Sequence, residues 1–586
     1  MLKLFKNFTK KDILYIVISF ILIVVQVWLE LKMPDYMSEI TRLVQNEGSS
    51  FNSIIEQGIY MLLCALGSLV SAILTGYFIA NAAASFSYSV RKKLFNKVES
   101  LGVDEVKHFS TSSLITRTTN DITQIQMLIA MGLQLMIKSP ITAVWAITKI
   151  LNKSFEWSAI TGLAVLILLT TVIILMVIVV PRFKIVQKLT DKINGITREN
   201  LTGIRVIRAF NAEKYQEDKF ENTNNKLTNI LTFNQKAFAI MQPIMYLVMY
   251  SLTLAIYFIG AKLINDAMMV DKITVFSDMV VFSSYAMQVI ISFLMLAVIF
   301  MMLPRAQVSA SRINEVLNTK ESIVDGKGNV KKESIGTVEF KDVSFKYPDA
   351  EEYLLKNISF KVNKGETIAF IGSTGSGKST LINLVPRFYD ATLGNVLVDG
   401  VDVKEYTEEE LHNIIGYVPQ RAVMFNGTIK SNIKYGRNGK KEVDDKKIEE
   451  AIKIAQASEF VEKLDKKLDS HIAQGGTNIS GGQKQRLSIA RAIARDPEIY
   501  IFDDSFSALD YKTDLALRKE LKKYTKDATV LIVAQRIGTI MNADKIVVLD
   551  NGECVGQGTH KELLKNCNVY KEIALSQLSK EELENE

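Results

Sequence analysis

The 586 residues are 48% hydrophobic and 23% charged, carry a formal net charge of +7 and have a mean hydropathy of +0.14. That length exceeds a single core and implies two domains or more, and the hydropathy is high for a soluble chain with so many charges. Cys64, Cys554 and Cys567 show no zinc or redox spacing and are expected to be inert thiols in a reducing compartment.

The composition is uneven along the chain. Up to about residue 317 long uncharged apolar stretches dominate; beyond about 336 the sequence reads as a globular α/β domain. The start, M-L-K-L-F-K-N-F-T-K-K, is a short basic amphipathic stretch without a cleavage site. It predicts an interfacial helix leading into a first membrane span. Six segments are apolar over about the 20 residues that a hydrocarbon core of about 30 Å requires: 13–34, 58–83, 127–151, 157–180, 237–263 and 273–303. The loops after the second and fourth are long, and basic residues collect there. Arg91, Lys92, Lys93, Lys97, Lys107 and Arg117 fall in one; Arg182, Lys184, Lys188, Lys192, Arg198, Arg205, Arg208 and Lys214 fall in the other. The first short loop instead carries Asp35, Glu39, Glu47 and Glu56 against Arg42.

The excess of positive charge marks the cytoplasmic side. Both long loops and both termini are therefore placed in the cytoplasm of a multi-pass protein of the cytoplasmic membrane. Trp28, Trp145 and Trp157 then fall toward the outer interface, where amphipathic rings are favoured. The same distribution assigns the basic excess to the lipid bilayer and not to nucleic acid. Both long loops keep a helical period with few breakers, so the spans are expected to continue as helices into the cytoplasm. The organisation read from this pattern is a six-span transmembrane domain over 1–320, a polar linker over 321–336 and a soluble domain over 337–586.

In the soluble part, Gly372-Ser373-Thr374-Gly375-Ser376-Gly377-Lys378-Ser379-Thr380 matches the whole pattern of a phosphate-binding loop, directly after the apolar strand-like run 367–371. Glycines in such a loop let backbone N–H groups turn inward around phosphate, the lysine neutralises phosphate oxygens and the serine hydroxyl ligates Mg²⁺. ATP and Mg²⁺ are the cofactors this predicts. Asp503 closes the apolar run I-Y-I-F and is the strand-terminal carboxylate expected to hold Mg²⁺ through water. Ser480, Gly481, Gly482 and Gln483 stand before an amphipathic helix and predict a second anion site.

These residues, in this order, resemble the nucleotide-binding domain of ATP-binding cassette (ABC) transporters, and the whole chain is similar to a bacterial ABC exporter half-transporter. The fold so implied is an all-α six-helix membrane domain with cytoplasmic extensions, followed by an α/β P-loop domain. The resemblance makes Tyr347 the aromatic that stacks on adenine and Gln420 the amide that senses Mg²⁺ and the attacking water. It makes Ser480 to Gln483 the signature that covers the ATP of a partner subunit, and Ser507 to Asp510 a loop crossing the dimer interface. The stretches around His108 to Asp121 and Glu199 to Phe220 resemble loops that carry coupling helices.

Two positions depart from the family pattern. Asp504 stands where a glutamate that polarises water is expected, and Gln535 where a histidine contacts the γ-phosphate. A carboxylate withdrawn by one methylene misses its proton by about 1.5 Å, when a 1 Å misplacement can cost about 10²-fold, and an amide carries no charge. The reading is a degenerate ATP site with an intact signature, hence a heterodimer with a second half-transporter that has Glu and His at those positions. Drug-like hydrophobic or amphiphilic compounds are the expected substrates. An ATP-binding gating subunit and an exporter of lipid or peptide are the alternatives. No peptidase-like segment precedes the first span, so leader-peptide processing is not expected. Candidate residues around the substrate are Gln26, Glu30, Gln134, Lys138, Gln242, Asp278 and Gln288, with Tyr246, Tyr250, Phe282, Tyr285, Phe293, Met295, Met301 and Met302, although core or lipid-facing packing is the more frequent role of such aromatics and methionines. Glu30 and Asp278 also suit snorkelling or pairing with the other subunit.

Overall fold

The computed structural model describes residues 2–45, 48–151, 155–268, 272–436, 439 and 442–578, without the side chains of Leu2, Lys184, Ala297 and Met301. The topology argument from Glu47 and Lys184 and the cavity reading of Met301 thus lie outside the described residues. Two compact units form, one of Met1–Ser100 with Val106–Lys320, the other of Leu101–Glu105 with Glu321–Glu586.

Six long helices make the first unit: α1 (Lys10–Gln45), α2 (Phe51–Glu99), α3 (Thr111–Leu151), α4 (Phe155–Ala209), α5 (Glu213–Asp266) and α6 (Lys272–Asn318), each apolar enough to cross a membrane. At 55 residues, α4 is roughly 80 Å long at about 1.5 Å per residue, far more than the bilayer core needs. The expected helical extensions are therefore present. α1 likewise runs on through Asp35 and Glu39, so these acids ride on a helix where the sequence suggested a loop. The segment after the fourth span forms no separate helix: α4 and α5 meet at a tight turn in which Asn211 takes a φ of +50°. α3 is broken at Thr119 and contains a π-helical turn at Leu128–Gly132.

Large apolar side chains such as Leu62, Leu66, Leu69 and Ile73 of α2 are exposed along the outer face, a surface that suits lipid and not water. Ile23, Val27, Leu252, Ile256, Phe282, Tyr285, Val289 and Ile290 form the inner core. Phe282 and Tyr285 are fully buried core residues. Trp157 is 2% exposed and packs on Phe282 with ring centroids 5.3 Å apart. One expectation changes here. Glu30 does not wait for a second subunit: its Oε1 accepts from Lys138 Nζ at 2.8 Å, Gln26 Nε2 at 2.9 Å and Ser68 Oγ at 3.2 Å. An ionisable pair in a span needs such partners because lipid offers none. By contrast Tyr246 and Tyr250 are exposed.

Toward the ends of the helices, Arg117 Nη1 donates to Glu315 Oε2 and to the Arg312 carbonyl, both at 2.8 Å, and Ser309 donates to Asp121 at 3.0 Å. These contacts fasten the start of α3 to the last turns of α6.

The second unit is built on two sheets. One is antiparallel, of β1 (Val338–Phe345), β2 (Leu355–Val362), β4 (Leu393–Val398) and β5 (Val401–Asp402), in the order β2-β1-β4-β5. The other contains β3 (Thr367–Gly372), β6 (Ile415–Val418), β7 (Ile499–Asp503), β8 (Thr529–Val533), β9 (Lys545–Asp550) and β10 (Glu553–Gly558), in the order β10-β9-β3-β8-β7-β6. All its pairings are parallel except β9 with β10. Parallel strands covered on both faces read as unbroken apolar runs, as β3, β7 and β8 do. Alternate residues serve two cores: Ile371, Phe502 and Ile532 pack on one face, Phe370, Ile501 and Leu531 on the other, against the antiparallel sheet.

Residues 321–336, the polar linker, lie along this unit. Gly326 N donates to Tyr406 O at 2.9 Å, Glu408 N to Asp325 Oδ1 at 2.7 Å and Gly336 N to the buried Asp399 at 2.6 Å, while Lys332 reaches both Asp399 and Glu498. Backbone groups left unpaired beside a folded surface are satisfied in this way.

Candidate nucleotide site

The loop 372–377 leaves the carboxyl end of the central strand β3 and enters a short helix, α7 (Lys378–Asn383), at the point where open α/β sheets bind ligands. Two glycines are dictated by space. A Cβ at Gly372 would run into the Leu549 carbonyl, and one at Gly377, with φ +91°, would lie 2.6 Å from Leu355 Cδ2. Ser373, Thr374 and Gly375 form the exposed tip, with Ser376, Lys378 and Thr380 buried beneath. Lys378 Nζ donates to Gly372 O at 2.9 Å, Ser373 O at 2.7 Å and Ser376 Oγ at 3.3 Å, which aims the ammonium along the inside of the loop. Burial pushes its pKa down, and Asp504 and Asp503 pull it back up.

Ser379 Oγ donates to Asp503 Oδ1 at 2.8 Å. Burial raises the Asp503 pKa, the Ser379 hydrogen bond opposes this, and the neighbouring charge of Asp504 adds to it. The hydroxyl, at the start of α7, and the carboxylate, at the end of β7, are hard oxygen donors, the set that suits Mg²⁺ held partly by phosphate and water. No cluster of three or more His, Cys, Asp or Glu ligands competes for a metal among the described residues. The residues therefore fit Mg²⁺ and a triphosphate, with Ser379 and Asp503 toward the metal and Lys378 toward phosphate. When bound, the metal neutralises phosphate charge during transfer.

Tyr347 stands beside the loop. Its hydroxyl is 2.9 Å from Thr380 Oγ1, and its ring meets Tyr389 edge-on with centroids 5.4 Å apart. The half-buried ring is thereby fixed next to α7, where an adenine could stack.

The two departures from the family pattern meet one another. Asp504 follows β7 with a φ of +45°, the left-handed region that costs a residue with a Cβ of order 1 kcal/mol or more. Its N–H donates to Val533 O at 2.9 Å, and its carbonyl accepts from Ser507 Oγ at 2.9 Å. Its carboxylate Oδ2 accepts from Gln535 Nε2 at 2.9 Å and Gln420 Nε2 at 3.2 Å. Burial raises the Asp504 pKa, against hydrogen bonds from Gln420 and Ser507 and the charges of Lys378 and Arg536. Gln420 is held at the end of β6, where Ser505 Oγ bonds Val418 O at 3.0 Å and Gln485 Nε2 bonds Pro419 O at 3.2 Å.

Ser480 caps α8 (Gly481–Ala494) in a reciprocal box: Gln483 N donates to Ser480 Oγ at 3.3 Å and Ser480 N to Gln483 Oε1 at 2.9 Å. The signature is thus a rigid, exposed helix start. Among the described residues no hydrogen bond joins 480–483 to the loop 372–380.

Sequence reasoning missed Gln577, the last residue of α11 (Asn568–Gln577). Its Nε2 donates to Gln535 O and its Oε1 accepts from Ile537 N, both at 2.8 Å. A legible signal was there: Tyr570, Ala574 and Gln577 share one face of a helix.

A membrane-embedded helical unit joined to a P-loop α/β unit with a helix-capped signature is the plan of an ABC transporter. Comparison with known families agrees. Residues 16–293 match the ABC transporter transmembrane region, and 355–507 match the ABC transporter domain. An uncharacterised ABC transporter ATP-binding protein of Mycobacterium tuberculosis is 38% identical over 522 residues, covering 88% of this chain and 87% of that one. The ATP-dependent lipid A-core flippase of Pseudomonas savastanoi is 31% identical over 519 residues, covering 87% and 83%. In fold the chain is similar to a bacterial Atm1-family ABC exporter with ATP bound, with a TM-score of 0.81 over 96% of this chain and 98% of that one at 23% identity. The chain belongs to the ABC transporter family. Its activity is ATP hydrolysis coupled to transport across a membrane, with ATP and Mg²⁺ as cofactors.

Proposed function

We propose that this chain is the degenerate-site subunit of a heterodimeric exporter that moves hydrophobic or amphiphilic, drug-like compounds out across the cytoplasmic membrane. The observation that carries this is the Asp504 carboxylate, short by one methylene and bonded through a single oxygen to two amides. A general base must come within about 2.6–3.2 Å of the proton it takes, and here the nearest donors to Oδ2 are Gln535 and Gln420 at 2.9 and 3.2 Å. Gln535 cannot replace the cationic histidine that would meet a γ-phosphate. ATP on this P-loop is then bound and slowly cleaved, while Ser480 to Gln483 complete a competent pocket whose Glu and His belong to a second half-transporter. A Bacillus subtilis relative named as a putative multidrug exporter supports the drug-like class, and the lipid A-core flippase supports the alternative of a lipid substrate.

The test is transport by the chain alone and with a half-transporter that carries Glu and His at the matching positions. ATP-dependent uptake of a fluorescent amphiphile into inverted vesicles is expected only with both subunits. Transport at full rate by the chain alone overturns the heterodimer.

A further inference from the structure

We infer that Gln577, at the end of the C-terminal helix α11, is the positioning residue that sets the switch residue Gln535 against Asp504. The short helix α9 (Ile537–Ile540) begins right after the switch position, and its N-cap residue, Arg536, makes no side-chain capping bond. The first N–H groups of a helix need an acceptor from outside. Here that acceptor is supplied from across the fold by Gln577 Oε1, at 2.8 Å from Ile537 N. The same amide returns a hydrogen bond through Nε2 to Gln535 O at 2.8 Å. One planar side chain thus bridges the backbone on both sides of Arg536, and the two contacts fix how the peptide after β8 turns. On that turn rides Gln535, whose Nε2 sits 2.9 Å from Asp504 Oδ2.

The reach of Gln577 is set by its helix. Tyr570 and Ala574 are fully buried on the same face, and the Tyr570 hydroxyl is 2.6 Å from Nδ1 of the buried His560. α11 is therefore pinned by its core side, which carries Gln577 to the switch turn seven residues on. Gln577 itself is exposed, so removing its amide leaves no cavity and no buried orphan on its own side. This assignment concerns the chain's own pocket and holds whether the second subunit is identical or different.

The experiment uses the full chain alone in lipid nanodiscs, so that every pocket contains Asp504 and Gln535. Single-turnover ATP hydrolysis and trinitrophenyl-ATP binding are compared for wild type, Gln577→Leu, Gln577→Glu, Gln535→Ala and the Gln535→Ala/Gln577→Leu double variant. Gln577→Leu is expected to speed hydrolysis about tenfold, the worth of the hydrogen bond by which Gln535 ties up the Asp504 carboxylate, with nucleotide affinity unchanged. The double variant is expected to match Gln535→Ala alone, because residues acting through one another are not additive. Gln577→Glu keeps the acceptor for Ile537 and is expected to bring the rate part of the way back to wild type. Hydrogen exchange supplies a second reading that does not depend on turnover. The Ile537 amide should lose protection in Gln577→Leu while β7 (Ile499–Asp503) keeps its own. An unchanged Ile537 amide, or rate changes that add in the double variant, overturns the assignment.

Discussion

Lengthening one side chain should repair the pocket. In Asp504→Glu the carboxylate advances by about 1.5 Å, more than the roughly 1 Å that separates productive from unproductive geometry. The structure shows what the longer chain must displace. Asp504 Oδ2 is held by Gln535 at 2.9 Å and Gln420 at 3.2 Å, each bond worth about 1 kcal/mol net. Gln420 lies at a strand end and can follow the carboxylate, whereas the Gln535 amide remains a competing donor. Asp504→Glu alone is therefore expected to raise hydrolysis about tenfold. With Gln535→His, which removes the competing amide and restores a cation toward the γ-phosphate, the gain should approach 10²-fold, or about 2.7 kcal/mol off the barrier. The assay is single-turnover hydrolysis by the chain alone in nanodiscs, with nucleotide affinity measured in parallel. A double variant that binds ATP normally and cleaves it no faster than wild type refutes the reasoning, because the two substitutions would then not be what limits this pocket.

Lys378→Ala should weaken trinitrophenyl-ATP binding by roughly tenfold to a hundredfold, since a charge-assisted contact to phosphate is lost. Lys138→Met strands the Glu30 carboxylate inside the bundle and should lower the apparent thermal midpoint by an amount equivalent to about 3 kcal/mol, whereas Glu30→Gln with Lys138→Met should recover most of it. Asp504→Asn tests the electrostatics by pH. Burial raises the folded-state pKa of Asp504, so its ionised form opposes folding once pH rises through that value. The asparagine variant should accordingly melt higher than wild type at pH 7.5 without nucleotide, and the gap should close as pH falls toward the ordinary Asp value near 4. A gap that widens on acidification contradicts the assigned cause.

Most of the framework was legible in the chain. Spans of about 20 apolar residues, the alternation of basic loops and the glycine spacing around Lys378 are local patterns with local physical causes. The strand runs before Gly372 and through Asp503 needed only their hydrophobicity to be placed. Other features stayed open where a side chain's partner lies far away in sequence. Nothing in the run around Tyr285 says that it closes the bundle core and not a cavity. Likewise the polarity of 321–336 does not reveal that Asp399, 63 residues on from Gly336, takes its backbone N–H.

The sequence by itself determined that this protein threads a bilayer and carries an ATP site, and it put Asp504 and Gln535 where the resemblance expects glutamate and histidine. Only the tertiary structure decided that Asp504 and Gln535, 31 residues apart, hold each other, that Gln420 joins them from 84 residues away, and that Gln577 bonds the backbone on either side of Arg536. The reason is physical. Periodicity and spacing record which face of an element is buried, because burial acts on every residue in a run. A hydrogen bond between single side chains leaves no periodic trace, and its geometry exists only once the sheet has brought distant strand ends together.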